Sequence, residues 1–254
     1  MTGVQTCALP IFDRAIAQRK DYAVAYLDHG NALRELDRLD DALHSYDAAL
    51  ASKPDYAQAW SNRGVVLKHM GRFQEALHSY QQALAAQPDF VDAMVNCSTL
   101  LKEMMRLEDS MALNQRALAL NPQSSGAHLN LAICQLLQGQ FAQGFQHYEW
   151  RWKTEQLQDG DRQFAQPLWL GGVDLRGQTV LLHAEQGLGD TLQFCRYATA
   201  VQALGARVVL EVQPPLVTLL QGLPGVDLLV ARGQPLPAFD WHCPLLSLPL
   251  AISS

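Results

Sequence analysis

Residues 55–88 read DYAQAWSNRGVVLKHMGRFQEALHSYQQALAAQP, and this stretch decides the fold of the first part of the chain. A similar stretch, DYAVAYLDHGNALRELDRLDDALHSYDAALASKP, precedes it at 21–54. DFVDAMVNCSTLLKEMMRLEDSMALNQRALALNP follows at 89–122, and a diverged copy, QSSGAHLNLAICQLLQGQFAQGFQHYEWRWKTEQ, occupies 123–156. Such repetition is typical of proteins whose units bury their apolar faces only by stacking on one another. We therefore predict an α-helical solenoid here.

The copy at 55–88 resembles a tetratricopeptide repeat in its length of 34 residues and in its pattern of large, small, aromatic and proline positions. These positions hold Trp60, Gly64, Ala76, Tyr80, Ala83 and Pro88. Small residues are expected where the two helices of a repeat cross, and proline where the second helix ends. The copy at 21–54 keeps the pattern, whereas the third copy has Ser98, Ser110 and Asn114 instead, and the fourth has Gly144 and Gln156.

One polar position recurs in the first helix of every copy and is predicted to face the concave groove: Asp28, Asn62, Asn96 and Asn130. Amide side chains offer donors and acceptors to a peptide backbone. The pattern resembles the asparagine ladder in the repeats of O-linked N-acetylglucosamine transferases, which implies a polypeptide or protein partner. A second recurring set is basic, lies near the rim and is suited to an acidic segment: Arg34, Lys68 and Lys102. The alternative for both sets is a solvated groove without a ligand.

Composition excludes several classes of function. The chain has 19 basic and 25 acidic residues without a long run of either, which argues against nucleic acid as a partner. The five cysteines are scattered, so we expect reduced thiols, a cytoplasmic location and no metal site. No apolar run reaches the length of a membrane span.

The first residues do not fit the repeats. MTGVQTCALPI, at 1–11, resembles the translation of a sequencing adapter and is expected to be non-native. Phe12 and Ala15 then occupy the aromatic and small positions of a partial repeat at 12–20. We therefore expect the chain to be a fragment of a longer, bacterial protein, with repeats over 12–156.

The pattern changes after the repeats, where 157–177 is punctuated by proline and glycine and is predicted to be a connector. Strands are predicted at 179–184, 207–212, 226–231 and 239–244, and helices at 190–204 and 215–221. Strands that alternate with helices favour a parallel sheet with helices on both faces. Residues 178–254 are thus interpreted as an incomplete Rossmann-like α/β domain, and the predicted fold class is α + α/β.

The stretch LLHAEQGLGDTLQF at 181–194 places two glycines where a strand gives way to a helix, an arrangement that can receive a ligand. It lacks the lysine of a P-loop. Gly187 and Gly189 begin a dinucleotide fingerprint, with Glu211 placed to hold a ribose. Two residues disfavour a dinucleotide site. Leu192 occupies the third glycine position, and Asp190 places a carboxylate beside the expected pyrophosphate.

The stretch GLGDTLQFCRYATAVQALGARVVLEVQPPLVTLLQGLPGVDLLV is similar to the N-terminal half of GT-B glycosyltransferases, especially the heptosyltransferase-like group. That resemblance implies that Asp190 is the base that deprotonates the acceptor hydroxyl. It also implies an acceptor pocket shaped by Gly187, Gly189, Thr191 and Gln193, with Glu185 as a further polar candidate. The alternative for Asp190 is a helix cap, in a capping-box spacing with Gln193.

The function favoured by the sequence is therefore that of a repeat-scaffolded glycosyltransferase. The nucleotide-sugar donor is expected in a second half that this chain lacks, so the fragment itself is expected to need no cofactor and to be inactive. Two alternatives remain open, namely a non-enzymatic interaction scaffold and a dinucleotide-binding protein.

Overall fold

A computed structural model describes residues 3–18, 22–154, 162 and 164–253, and it divides into two compact units, Met1–Cys134 and Gln135–Ser254. The division falls inside a helix of the fourth repeat and before the predicted connector. Part of that connector, and the predicted end of the repeats at Gln156, lie outside the described residues. The predicted boundaries of the domains therefore stay predictions.

The first unit is a series of helices, which confirms the predicted helical solenoid. The helices are α1 (Gly3–Gln18), α2 (Ala23–Glu35), α3 (Leu39–Ser52), α4 (Ala57–His69), α5 (Phe73–Ala86), α6 (Val91–Glu103), α7 (Leu107–Leu120) and α8 (Ser125–Leu137), whose last three residues belong to the second unit. Each predicted copy from 21 to 122 supplies one antiparallel pair, namely α2 with α3, α4 with α5, and α6 with α7.

Glycine and tyrosine hold each of the first two pairs together. A Cβ atom on Gly64 would lie 2.7 Å from the Tyr80 ring, and one on Gly30 would lie 2.6 Å from the Tyr46 ring. Both rings are completely buried. The small residue in the first helix is therefore needed because the aromatic ring of the second helix rests directly on its backbone.

The second unit begins with the end of α8 and continues with α9 (Phe141–Tyr148) and a 3₁₀ segment at Glu149–Lys153. Four strands follow: β1 (Thr179–His183), β2 (Arg207–Val212), β3 (Leu228–Ala231) and β4 (Trp241–Pro244). They form one parallel sheet in the order β3-β2-β1-β4. The predicted parallel pairing is confirmed, with three of the strands shorter than predicted.

Both faces of the sheet are covered, as expected for parallel strands with continuous apolar runs. On one face Val180 and Leu182 join the larger core, which also receives residues from the helices after β1 and β2. On the other face Leu181 and Val209 pack with Val230. The prediction of helices on both faces is wrong for this second face, because the described residues that cover it come from loops: Phe164, Leu236 and Phe239.

The helix predicted at 190–204 differs in the structure. Helix α10 (Leu188–Phe194) starts two residues earlier and is followed by a 3₁₀ turn at Cys195–Tyr197, and α11 (Ala198–Ala203) comes after it. Helix α12 (Val217–Leu220) is shorter than the predicted helix at 215–221, and α13 (Leu248–Ala251) was not predicted. The early start of α10 follows from its cap, because Asp190 accepts a bond from a backbone N–H three residues before it.

Candidate functional site

The first unit contains a polar concavity of about 510 Å³. It lies where α4 and α6 meet the start of α8, and it is lined by Gln58, Ser61, Asn62, Asp92, Val95, Asn96, Gln123, Ser124, Ser125 and Gly126. Two of the predicted groove residues, Asn62 and Asn96, therefore lie in one wall. A polar concavity with amide side chains provides donors and acceptors for an extended polypeptide.

The side-chain amide of Asn62 is nevertheless hydrogen-bonded to a residue of the neighbouring repeat. Its Nδ2 donates to Asn31 Oδ1 over 2.7 Å, and its Oδ1 accepts from Gln58 Nε2 over 3.1 Å. The Tyr46 hydroxyl also donates to Asn31 Oδ1, at 2.9 Å. Asn62 is buried, so its amide joins the second repeat to the first.

The side-chain amide of Asn130 is likewise hydrogen-bonded to residues of the preceding repeat. Its Nδ2 donates to Thr99 Oγ1 over 2.8 Å and to Ser98 Oγ over 3.0 Å, and its Oδ1 accepts from Lys102 Nζ over 2.8 Å. With its donors and acceptor used inside the solenoid, this buried amide has the role of a link between repeats.

Asn96 differs from both, because the described residues give its half-buried amide no hydrogen-bond partner. Asp28, at the equivalent position of the first repeat, is half-buried and does not line the concavity. The four predicted groove positions are thus not equivalent. Asn96 is the member whose amide lines the concavity without an internal bond.

The three basic residues do not line the concavity either. Lys68 Nζ lies 2.9 Å from Glu103 Oε1, and Lys102 is held against Asn130. Burial lowers the pKa of Lys102, and the nearby charge of Lys68 lowers it further. Arg34 is half-buried near the Tyr46 hydroxyl.

In the second unit, the glycine-containing stretch forms the start of α10 beyond the end of β1. Gly187 is the N-cap residue, and its N–H donates to Asp190 Oδ2 over 3.1 Å. Asp190 is therefore the third helical residue and not the N-cap that the sequence suggested as the alternative. Gly187 has φ −69°, so its conformation does not require glycine. A Cβ atom on Gly189 would meet no other group within 4 Å.

The other two residues predicted to shape the acceptor pocket have different surroundings. Thr191 is buried, and its hydroxyl donates to Gln213 Oε1 over 2.9 Å. Gln213 Nε2 in turn donates to the carbonyl oxygen of Gln186 at 2.9 Å, so Thr191 serves to join α10 to the loop after β2. Gln193 is exposed and borders a separate cavity of about 920 Å³, which is lined largely by aromatic and aliphatic residues such as Phe145, Phe194 and Tyr197.

Glu185 belongs to a buried ionic cluster that the sequence did not predict. Arg151, only 2% exposed, donates from Nη2 to Glu185 Oε1 over 2.9 Å and from Nη1 to Glu149 Oε1 over 2.6 Å. Its Nη2 also donates to Ser247 Oγ over 2.7 Å, and that hydroxyl lies 2.9 Å from Glu149 Oε1. Tyr148 and Trp152 stack on the guanidinium. The sequence signal was an arginine between two tryptophans in EWRWK.

Two carboxylates in this cluster share one guanidinium. Burial raises the pKa of Glu185 to about 7, and the charges of Glu149 and Asp190 act in the same direction, while Arg151 opposes the rise. The Glu185 carboxyl therefore titrates near neutral pH. Glu185 lies two residues beyond the end of β1 and just before the start of α10, so its charge acts on Asp190.

The structure gives Glu211 a different environment from the one that a ribose ligand needs. Its side chain is 0% exposed and forms an ion pair with Arg162. His183, on the same face of the sheet, is also buried, and burial lowers its pKa to about 3. Arg162 holds Glu211 Oε2, and the other carboxylate oxygen is buried, so a ribose could reach the carboxylate only if the residues around it rearranged.

Within the described ranges, no group of three or more histidine, cysteine, aspartate or glutamate side chains is arranged to hold a metal ion. No helix of the described chain combines the length and the apolar character that a bilayer span requires.

Sequence comparison matches two tetratricopeptide-repeat family models to the chain. One matches residues 27–89 and 69–96, and the other matches residues 113–146. All of these residues precede the parallel sheet. No curated protein sequence matches the chain significantly.

Three solved structures are similar to this chain in fold. MamA from Desulfovibrio magneticus RS-1 is 22% identical with a TM-score of 0.54, and the match covers 62% of this chain and 89% of that one. A second MamA structure is 14% identical with a TM-score of 0.55, covering 62% and 92%. YrrB, described as a TPR protein with an unusual peptide-binding site, is 24% identical with a TM-score of 0.50, covering 57% and 75%. The family models thus identify tetratricopeptide repeats within residues 27–96 and 113–146, and the solved structures share the helical fold described above.

Proposed function

We propose that the repeats bind an extended segment of a partner polypeptide in the concavity between α4, α6 and the start of α8. The observation that carries this proposal is the half-buried amide of Asn96, which lines the concavity and has no internal partner among the described residues. Asn62 and Asn130 support the site indirectly, because their hydrogen bonds join adjacent repeats and hold the walls in place. The similar fold of YrrB, which is described as having a peptide-binding site, agrees with this function.

The experiment is selection of peptides from a phage-displayed random library on the immobilised chain. Asn96→Ala is expected to weaken binding of a selected peptide about 3-fold to 10-fold, because one or two hydrogen bonds to the peptide are lost. Gln115→Ala is the matched control, since it removes an exposed amide of α7 that does not line the concavity. Equal binding by the Asn96 variant and the wild type would overturn the assignment.

A second function is supported by the geometry at the start of α10. We propose that Gly187, Gly189 and Asp190 form the acceptor side of a sugar-transfer site, in a Rossmann-like half whose strand order is β3-β2-β1-β4. Asp190 accepts one bond, from Gly187 N–H, so its carboxylate is oriented at an exposed helix start. Gly189 leaves open space beside the backbone, which permits close approach of a ligand.

This proposal is tested in a longer protein that also carries the donor-binding half. Asp190→Asn keeps an oxygen that accepts the bond from Gly187 N–H, so folding should be retained while sugar transfer from a panel of nucleotide-sugars is lost. Transfer is measured as release of the nucleoside phosphate. Transfer at the wild-type rate by Asp190→Asn would show that Asp190 only caps the helix and is not the base. Absence of transfer by the wild type from every donor in the panel would leave the protein as a non-enzymatic interaction scaffold.

A further inference from the structure

The lining of the concavity described above carries a net negative charge. Among its lining residues, Asp92 is the one with an ionisable side chain, and the others are neutral: amides, hydroxyls, one valine and one glycine. Asp92 is exposed and lies in the first turn of α6. No cation among the described residues forms an ion pair with it.

Two of the three recurring basic residues, Lys68 and Lys102, already have partners. The Lys68 ammonium forms an ion pair with Glu103 at 2.9 Å, which leaves little net charge at that point. The Lys102 ammonium donates to Asn130 Oδ1 and is half-buried. To reach an acidic ligand, Lys102 would have to leave the buried Asn130 Oδ1 without its ammonium donor.

On these grounds we infer that the concavity selects polypeptide segments that carry an arginine or lysine, with the cationic side chain at Asp92 and the peptide backbone at Asn96. This inference rests on the proposed peptide-binding function and reverses the expectation that the basic residues attract an acidic segment. Val95, between these two residues in sequence, also lines the concavity and offers contact to the aliphatic part of a basic side chain.

The test is a comparison of peptides selected from the random library on wild-type chain and on Asp92→Asn. Arginine and lysine should be enriched over the input library on the wild type and not on the variant. Asp55→Asn is the matched control, because it removes an exposed carboxylate outside the concavity and should leave the enrichment unchanged.

A selected peptide is then synthesised with its basic residue and with glutamine in its place. The exchange should weaken binding to the wild type about 2-fold to 5-fold, as expected for a partly exposed ion pair, and should have no effect on binding to Asp92→Asn. The wild-type difference should shrink as salt concentration rises.

Peptides that are selected without basic enrichment, or with equal enrichment on Asp92→Asn, would overturn this inference and leave the peptide-binding function intact. Asp92 would then serve only to stabilise the start of α6. If instead no peptide is enriched on the wild-type chain, both the proposed peptide-binding function and this inference are overturned.

Discussion

At the scale of single residues, the turn inside each repeat imposes a left-handed backbone. The same position in the four copies has a positive φ: Asp37 (58°), Gly71 (74°), Met105 (58°) and Gly139 (76°). Glycine adopts this conformation without steric cost, whereas a residue with a Cβ atom does not. The first and third repeats therefore carry backbone strain that the second and fourth avoid.

Met105→Gly is expected to stabilise the first unit by about 1 kcal/mol, because it relieves the left-handed strain and the side chain, 66% exposed, loses little packing. Gly71→Ala is the reverse experiment and should destabilise by a similar amount. Urea unfolding of both variants and the wild type provides the measurement. A destabilised Met105→Gly variant would show that the methionine side chain contributes more than its exposure indicates.

At the scale of helices, the third repeat has replaced an aromatic contact by a hydrogen bond. Where the second repeat has Gly64 beneath Tyr80, the third has Ser98 and Asn114, both completely buried, with Ser98 Oγ donating to Asn114 Oδ1 over 2.8 Å. The change from glycine to serine and the change from tyrosine to asparagine therefore belong together. The third repeat looks weakened in the sequence, but its two helices are joined by this buried hydrogen bond where the second repeat has a glycine–tyrosine contact.

Asn114→Tyr alone should destabilise the first unit by about 2 kcal/mol or more, because the ring would overlap the Ser98 side chain. Adding Ser98→Gly should recover part of that loss, since it recreates the pair seen at Gly64 and Tyr80. A double-mutant cycle by urea unfolding measures the coupling, expected at about 1–3 kcal/mol. Additive effects of the two substitutions would show that positions 98 and 114 are not coupled and would contradict this interpretation.

At the scale of the whole molecule, each unit has its own core, and the second includes a segment that the sequence assigned to the repeats. Arg151 lies in that segment and forms ion pairs with Glu149 and Glu185 inside the second unit. Charges buried in this way are stable only while they remain paired. The folding of the sheet therefore depends on residues that come before the predicted connector.

Arg151→Ala is expected to destabilise the second unit by about 3–5 kcal/mol, because two carboxylates lose their cation. The control is Arg176→Ala, whose ion pair with Asp174 is exposed and should contribute far less to stability. Thermal unfolding of both variants compares them directly. Equal effects would contradict the structural role of Arg151.

The same cluster predicts a dependence on pH. The folded pKa of Glu185 is raised from 4.5 to about 7, so its contribution to stability is complete below about pH 4.5 and is lost as the pH rises through about 7. The glutamine side chain in Glu185→Gln does not ionise at any pH in this range. The free energy of unfolding of the wild type, relative to this variant, should therefore fall by up to about 3 kcal/mol between those limits.

Urea unfolding of wild type and Glu185→Gln across this pH range measures the difference, in which the titration of other carboxylates cancels. A difference that stays constant would show that Arg151 keeps Glu185 ionised throughout.

Much of the fold was predictable from local patterns. The repeat period and the small and aromatic positions predicted the helix pairs, and the apolar runs predicted four strands of a parallel sheet. These features follow from periodicity and local chemistry, which a sequence displays directly. The start of α10 was misplaced by two residues, because the cap depends on a bond between Gly187 and Asp190 that no pattern marks.

The candidate sites were predictable only in part. The recurring polar position indicated a groove, and Asn62 and Asn96 do line one concavity. The sequence treats Asn62, Asn96 and Asn130 alike, yet two of them bond to side chains of other repeats. Arg151 was missed altogether, since its partners Glu185 and Ser247 lie far from it in sequence.

The sequence by itself thus determined the architecture of this protein: a stack of helix pairs with a polar inner face, followed by a parallel sheet with a glycine-containing start to its first helix. Only the tertiary structure decided which polar groups are available to a ligand and which are used within the fold. The physical reason is that a hydrogen bond or ion pair satisfies a polar group regardless of sequence distance, so its availability depends on what folding brings beside it.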